Sequence, residues 1–317
     1  MAKSAFDTIG GIFDGDVRIR RSRPKDLAAV KARARRVVRR APEVMVKISG
    51  FGKGSAHVGA HLSYIGREGN LTLENERGEL ISGKEAIQEL RDEWMADRGR
   101  VNQNTRDTTH IVLSMPPGTN RKAVTAASRE FAKEQFGKNH QYVFVAHEDE
   151  KHPHVHLTVK NLGYDGTRLH VKRGDPQKWR ELFAEKLRNQ GVDAEATARL
   201  TRGVVRKPVK QSVLHMRKRG VTPNTDKAKM LEAMAEIKAK KPPEQPWKQK
   251  IQQRHTDVRR GWVEAAQALT GEDNALAGDI LRFVKSMPAV STLRDDIKRK
   301  LEQDKNAGID VDAEIQR

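Results

Sequence analysis

The stretch His147-Glu-Asp149-Glu-Lys-His152-Pro-His154-Val-His156 constrains this chain more than any other. Polar and apolar residues alternate through His154-Val155-His156-Leu157-Thr158-Val159, the period of a half-buried strand, so both imidazoles leave the same sheet face. The preceding Tyr142-Val-Phe-Val-Ala146 is rich in strand formers and ends at His147. Residues 148–153, charged and carrying Pro153, read as a hairpin loop that returns His147 beside the other two rings. Three neutral imidazoles around one divalent cation leave positions open for substrate oxygens, which a catalytic site needs and a structural site lacks. Asp149 is placed to accept the other ring N–H of a ligand histidine and fix its tautomer. The plainer alternative is a hairpin capped by solvated histidines; His147 and Asp149 beside the His-x-His pair favour the metal site.

A formal net charge of +19 makes a polyanion the expected partner, because lysine and arginine neutralise phosphates and release counterions. Nucleic acid comes first and an anionic membrane second. No run of about 18 apolar residues exists for a span, and the amino terminus lacks an uninterrupted hydrophobic signal, so a soluble protein starting in the cytoplasm is expected. With no cysteine in 317 residues, disulfides, thiolate metal sites and cysteine nucleophiles are excluded.

Four segments are expected. Residues 1–43 form a basic arm, Arg18-Ile-Arg20-Arg21-Ser-Arg23 and then Lys31 to Arg40, read as solvated and disordered, with clamping of DNA phosphates as a use. Residues 44–206 alternate strands (Val44 to Ile48, Thr109 to Ser114 and the histidine hairpin) with helical stripes (Ala86 to Met95, Arg121 to Phe136, Lys178 to Arg188), which points to a sheet-and-helix domain. Residues 207–248 read as a basic, proline-rich linker, and 249–317 as amphipathic helices with stripes Ile251/Val258/Trp262/Ala265/Leu269, Leu276/Ile280/Phe283/Met287 and Leu293/Ile297/Leu301.

A second informative element lies upstream. In Ala56-His57-Val58-Gly-Ala-His61-Leu62-Ser-Tyr64-Ile65-Gly-Arg67-Glu68, the residues Val58, Leu62 and Ile65 form a helical stripe, with His57, His61, Tyr64 and Glu68 on the opposite side. The chain has three tyrosines: Tyr142 sits among apolar strand residues, Tyr164 lies in a glycine-flanked turn, and Tyr64 faces away from the core. Tyr64 is therefore the best candidate for a phenolic nucleophile, although an ordinary surface tyrosine is the commoner case. The chemistry joining these pieces is phosphoryl transfer to a tyrosine oxygen beside a metal held by histidines, leaving a 5′-phosphotyrosine and a free 3′-hydroxyl. A tyrosine with reference pKa near 10 needs a nearby cation or base to attack at neutral pH.

Three motifs in order then resemble the VirD-type, or MOB-P, conjugative relaxases of the HUH endonucleases. These are Leu62-Ser-Tyr64-Ile-Gly-Arg67-Glu68-Gly69, Thr109-His110-Ile-Val-Leu-Ser114-Met-Pro-Pro-Gly118, and His147-x-Asp149 through His154-Val155-His156. The resemblance covers roughly 44–206. It implies an α+β fold, an antiparallel central sheet with helices on one face and the histidine strands central and adjacent, followed by a helical C-terminal region. It implies that Tyr64 nicks one strand at an origin of transfer and that His147, His154 and His156 hold Mg²⁺ or Mn²⁺. Asp149 would then orient a ligand or assist deprotonation of Tyr64. Arg67, His110 and Ser114 are expected at the DNA, with a buried strand position as the alternative for His110 and a ligand swap open for His152. The partners implied are single-stranded and supercoiled DNA at the origin, relaxosome accessory proteins, a type IV coupling protein and a secretion channel, with export of the DNA-bound protein to a recipient cell. Lys160, Arg168, His170, Lys172 and Arg173 either follow the phosphates of a single strand or are plain solvent-facing residues.

Two other classes stand beside it: a rolling-circle replication initiator, which shares the chemistry, and a non-catalytic basic relaxosome protein with incidental histidines. A cupin-type barrel is disfavoured because Leu157 to Gly163 supplies no ligand carboxylate.

Overall fold

Strand Tyr142–His147 is apolar at successive positions rather than alternate ones, the pattern of a strand covered on both faces, and this sets the architecture. The computed structural model describes residues 12–13, 27–206, 208–239 and 246–307. By contacts the chain divides into two compact units, Ala32–Thr197 and Met1–Lys31 with Ala198–Arg317.

The first unit is built on β1 (Met45–Gly52), β2 (Leu73–Asn75), β3 (Leu80–Ile81), β4 (Thr108–Ser114), β5 (Tyr142–His147) and β6 (His154–Lys160). They form one sheet in the order β1-β4-β6-β5-β2-β3, and every pairing is antiparallel. The histidine strands β5 and β6 are central and adjacent, paired His147↔His154 and Val145↔His156.

Helices pack on both faces, not on one as the resemblance implies. On the first face α4 (Arg121–Phe136) and α5 (Asp175–Asn189) bury Val124, Phe131, Phe136, Trp179 and Phe183 against Ile111, Leu113, Phe144, Val155 and Leu157. On the second, α2 (Gly54–Ile65) and α3 (Lys84–Ala96) bury Val58, Leu62, Ile65, Ile87, Leu90 and Trp94 against Leu73, Val143 and Val145. Burying an aliphatic or aromatic side chain of this size contributes about 1.5–3 kcal/mol, so Val143 and Val145 are as much a reason for a helix as Tyr142 and Phe144. The rest of the second face, around His154 and His156, is left for the site.

Residues 27–38, read as part of a disordered arm, form helix α1 (Leu27–Val38), because Val30, Ala34 and Val37 give it a buried stripe. The basic run Arg18 to Lys25 lies outside the described residues.

The second unit is helical: α6 (Gln211–Lys218), α7 (Asn224–Lys238), α8 (Pro246–Leu269), α9 (Asn274–Lys285) and α10 (Leu293–Asn306). The first two occupy most of the segment read as a linker; alternating charge masked their helical character, and a bidentate Arg217–Asp226 pair (2.8 and 3.0 Å) joins them. The expected tail stripes are seen, with Trp262, Ala265, Leu269, Leu276, Ile280 and Phe283 buried between α8 and α9. The Trp262 indole donates to the Thr201 carbonyl at 2.8 Å, which satisfies its polar edge. No described helix is long and apolar enough to cross a membrane.

Candidate active site

Helix α2 is fastened to the sheet at its start. The Gly54 N–H donates to Asp107 at 2.7 Å, and Asp107 is itself gripped by two guanidinium nitrogens of Arg98 at 3.2 and 2.8 Å. Its apolar stripe faces Val143 and Val145, so the opposite side, with Tyr64 in the last turn, lies toward the open part of the face. After Ile65 the backbone turns sharply: Arg67 and Glu68 adopt left-handed φ of 48° and 57°. Gly69 (φ 91°) passes so close to α3 that a Cβ there would lie 2.7 Å from the Lys84 nitrogen. Glu68 is thus off the helix, not on its polar side as the stripe suggests.

On β5 and β6 the alternation sends His147, His154 and His156 to this same face. Their ring centroids are 5.3 Å (His147–His154), 4.5 Å (His147–His156) and 5.2 Å (His154–His156) apart. One ligand atom from each lies within 4.8 Å of the others, so the three can hold one metal ion, and among the described residues no further histidine or carboxylate joins this group. Two of the three are oriented by backbone carbonyls. His147 Nε2–H donates to the Ile65 carbonyl at 2.7 Å, which places the proton on that nitrogen and leaves Nδ1 for an ion. His154 Nδ1–H donates to the His152 carbonyl at 3.0 Å and leaves Nε2. Asp149 does not take the ring N–H expected of it; it pairs with Arg67, whose Nη2 also lies 3.5 Å from His147 Nδ1. The exposed His152 ring is outside the triad.

The Tyr64 ring, 56% exposed, meets His156 edge-on at 6.0 Å between centroids, and the Arg67 guanidinium sits 5.7 Å from its centre. The other two phenols are poorly suited to attack. Burial, with Glu76 and Glu74 nearby, pushes Tyr142 up to about 12. Burial and the Glu76 carboxylate, which accepts the Tyr164 hydroxyl at 3.0 Å, push Tyr164 up to about 12 as well.

The family model of the MobA/VirD2-like relaxase nuclease domain matches residues 64–192, a span that opens on this tyrosine and encloses all three histidines. Residues 64–192 are thus similar to the nuclease domain of the MobA/VirD2-like relaxases. The T-DNA border endonucleases VirD2 of Rhizobium radiobacter and Rhizobium rhizogenes are each 32% identical over 169 residues, covering 47% of this chain and 39% and 38% of the relatives. The corresponding protein of Agrobacterium fabrum is equally similar, with 37% of it covered. The chain therefore spans well under half the length of these curated relatives.

Within this unit several residues expected at DNA are buried or bonded to the backbone. His110 is buried on β4, the alternative reading of that residue, and Ser114 is buried across from His154. Lys160 is buried at the far end of β6, six residues and about 20 Å from His154. Arg168 donates to the backbone carbonyls of Arg98 and Arg106. Only His170, Lys172 and Arg173 of that basic set are exposed. One residue with a structural part, Arg121, escaped the sequence reading: it holds the hairpin loop by donating to the carbonyls of His147 and Glu150. His61, read on the side of the helix away from the core, is seated against the sheet.

The fold keeps several of these rings neutral. Burial, then the neighbouring histidines, lowers His156 to about 3; burial, then His110, lowers His61 to about 3; burial, then His156, lowers His110 to about 4. Burial likewise lowers His147 against the opposing pull of its Ile65 bond. A neutral imidazole binds metal without first losing a proton. The unfolded chain takes up protons below about pH 6.5 while these folded rings do not, so stability rises with pH over that window and is lost as pH falls through it. Each such ring contributes a slope of up to about 1.4 kcal/mol per pH unit. Metal-free thermal melts should accordingly show the transition falling steadily between pH 6.5 and 4.5; a flat profile would contradict the buried, neutral state of these histidines.

Proposed function

We propose that this chain nicks and rejoins one DNA strand at an origin of transfer by transesterification, through a 5′-phosphotyrosyl intermediate on Tyr64. The observation that carries the reading is the approach of Tyr64 to the triad: a phenol from α2 and three imidazoles from β5 and β6 converge on one open patch of the sheet. The VirD2 border endonucleases, similar over 169 residues, support it.

His147, His154 and His156 would hold the metal. Hard Mg²⁺ prefers oxygen ligands, so an all-imidazole set favours Mn²⁺ of the two ions the family resemblance implies. A divalent ion held by these three rings would supply positive charge beside the scissile phosphate. Tyr64 Oη bonds to phosphorus as the bond to the 3′ oxygen breaks. The phenolic proton passes to Asp149 or solvent, and the leaving oxygen ends as a 3′-hydroxyl. In the reverse direction that hydroxyl attacks the tyrosyl ester and reseals the strand, so no nucleotide cofactor is consumed. Arg67, between Asp149 and the tyrosine ring, meets the phosphate, and Lys172 and Arg173 lie along the strand. With Tyr142 and Tyr164 both disfavoured, one nucleophile serves the site, which suits transfer better than replication schemes that use paired tyrosines.

The catalytic portion is taken as residues 44–206. A coupling ATPase and a type IV secretion channel are proposed to receive the DNA-linked protein through the helical region from 249 onward, with the protein starting in the cytoplasm.

The test is incubation of the protein with supercoiled plasmid carrying the origin region cloned from the DNA flanking its gene, with Mn²⁺ or Mg²⁺, followed by protease and denaturing gels. A single-strand nick whose 5′ end retains peptide is the expected product. Retardation of the plasmid without any nick would assign the chain to the basic DNA-binding class instead.

A further inference from the structure

Two histidines outside the triad meet face to face. The rings of His61 and His110 have centroids 3.3 Å apart and planes 5° from parallel. His61 comes from α2 and His110 from β4, so the stack joins the tyrosine-bearing helix to the sheet. Each ring is anchored once more: His61 Nε2 shares a hydrogen bond with Thr158 Oγ1 at 3.0 Å, and His110 Nε2 one with Thr108 Oγ1 at 2.9 Å. Thr158 and His110 are cross-strand partners on β6 and β4, and together they make one seat for the His61 ring. Strand β1 keeps space for that seat. A Cβ on Gly52 would lie 2.3 Å from Thr108 Oγ1 and 3.4 Å from His110 Nε2, and one on Gly50 would lie 3.4 Å from His110 Nδ1.

The seat is next to the site by construction. Thr158 is two residues beyond His156 on the same strand face, a step of about 7 Å. Tyr64 is three residues beyond His61 on α2, a rise of about 4.5 Å. These two steps run side by side, and they end with the Tyr64 and His156 rings 6.0 Å apart. We propose that the His61–His110 stack, seated on Thr158, is the pin that positions Tyr64 for attack. The proposal rests on the reading of Tyr64 as nucleophile. His61 and His110 act as positioning residues, and their work is to remove freedom from the helix that carries the phenol. Loss of such orientation lowers the rate at saturating substrate more than it weakens DNA binding.

Thr158→Val removes the hydroxyl while keeping the shape and the strand preference of a fully buried position. It is compared with wild type, Tyr64→Phe, His110→Ala and His110→Phe, the last of which keeps an aromatic face for His61. The readouts are the single-turnover rate of adduct formation on a single-stranded origin oligonucleotide with Mn²⁺, the KM for that strand, calorimetric Mn²⁺ titration without DNA, and amide exchange over 54–65. Thr158→Val and His110→Ala should each slow adduct formation about tenfold at saturating DNA, with KM and Mn²⁺ affinity within about twofold and faster exchange in α2. His110→Phe should recover most of the rate. Wild-type rates in both Thr158→Val and His110→Ala, a loss confined to KM, or His110→Phe as slow as His110→Ala would overturn the pin. Absence of adduct with wild type itself would instead overturn the nicking reading on which the pin depends.

Discussion

Tyr64→Phe should leave a folded, DNA-binding, metal-binding protein that forms no covalent adduct, with nicking reduced by at least about 10⁴-fold, on the order of 5.5 kcal/mol of transition-state stabilisation. The size follows from what one oxygen does. Phenylalanine keeps the ring beside His156 and Arg67 but offers no atom able to bond to phosphorus, so both cleavage and resealing lose their only covalent path. The folding cost is small, because the ring is 56% exposed and a change at such a position is worth less than about 0.5 kcal/mol. The measurement is a denaturing gel of a 3′-labelled single-stranded origin oligonucleotide, whose label would be retained on protein by wild type alone. Adduct retained by the variant would return the search to Tyr142 or Tyr164. That outcome would require a buried phenol, or one bonded to Glu76, to ionise against its surroundings.

Much of this site was legible because it depends on short periods. The two-residue repeat of His154 and His156 and the stripe of Val58, Leu62 and Ile65 both survive in the structure, since each is a local consequence of backbone geometry. The hairpin that returns His147 was legible for the same reason. The partners of Asp149 were not. Arg67 reaches it only because the chain turns through two left-handed residues after α2, and side chains with φ near 50° leave no propensity signal at these residue types. Lys160 and Arg168 looked like solvent-facing cations, yet one is buried and the other donates to the backbone carbonyls of Arg98 and Arg106. The helices on the second face had a signal that was passed over. Tyr142-Val-Phe-Val-Ala146 is apolar on both sides, which a sheet with one bare face would not tolerate. The hairpin of β2 and β3, three and two residues long, is too short to register as periodic. The His61–His110 stack joins residues 49 apart in sequence, and no local pattern predicts it.

His156→Ala is the second large effect, and it should move two observables in opposite directions. This ring lies 4.5 Å from His147 and 5.2 Å from His154, so its loss reduces the triad to two imidazoles on neighbouring strands. Mn²⁺ affinity should fall by at least about 100-fold and nicking by about 10³-fold or more, since the charge offered to the phosphate is lost with the ion. His152→Ala, at an exposed loop position outside the triad, should keep both within about twofold. Raising the pH should not restore the His156 variant: the wild-type ring, held near 3 by burial and by its neighbours, is already neutral at any working pH, so the defect is a missing ligand and not a missing deprotonation. In metal-free melts the sign reverses. Wild type loses stability as pH falls below about 6.5 partly because folded His156 refuses a proton that the unfolded chain accepts. Alanine has no proton to refuse, so the variant's transition temperature should decline less between pH 6.5 and 4.5 than that of wild type. A variant that lost activity while keeping the full acid dependence would mean that His156 is solvated in the free protein, and the triad would then be assembled by DNA or metal instead of by the sheet.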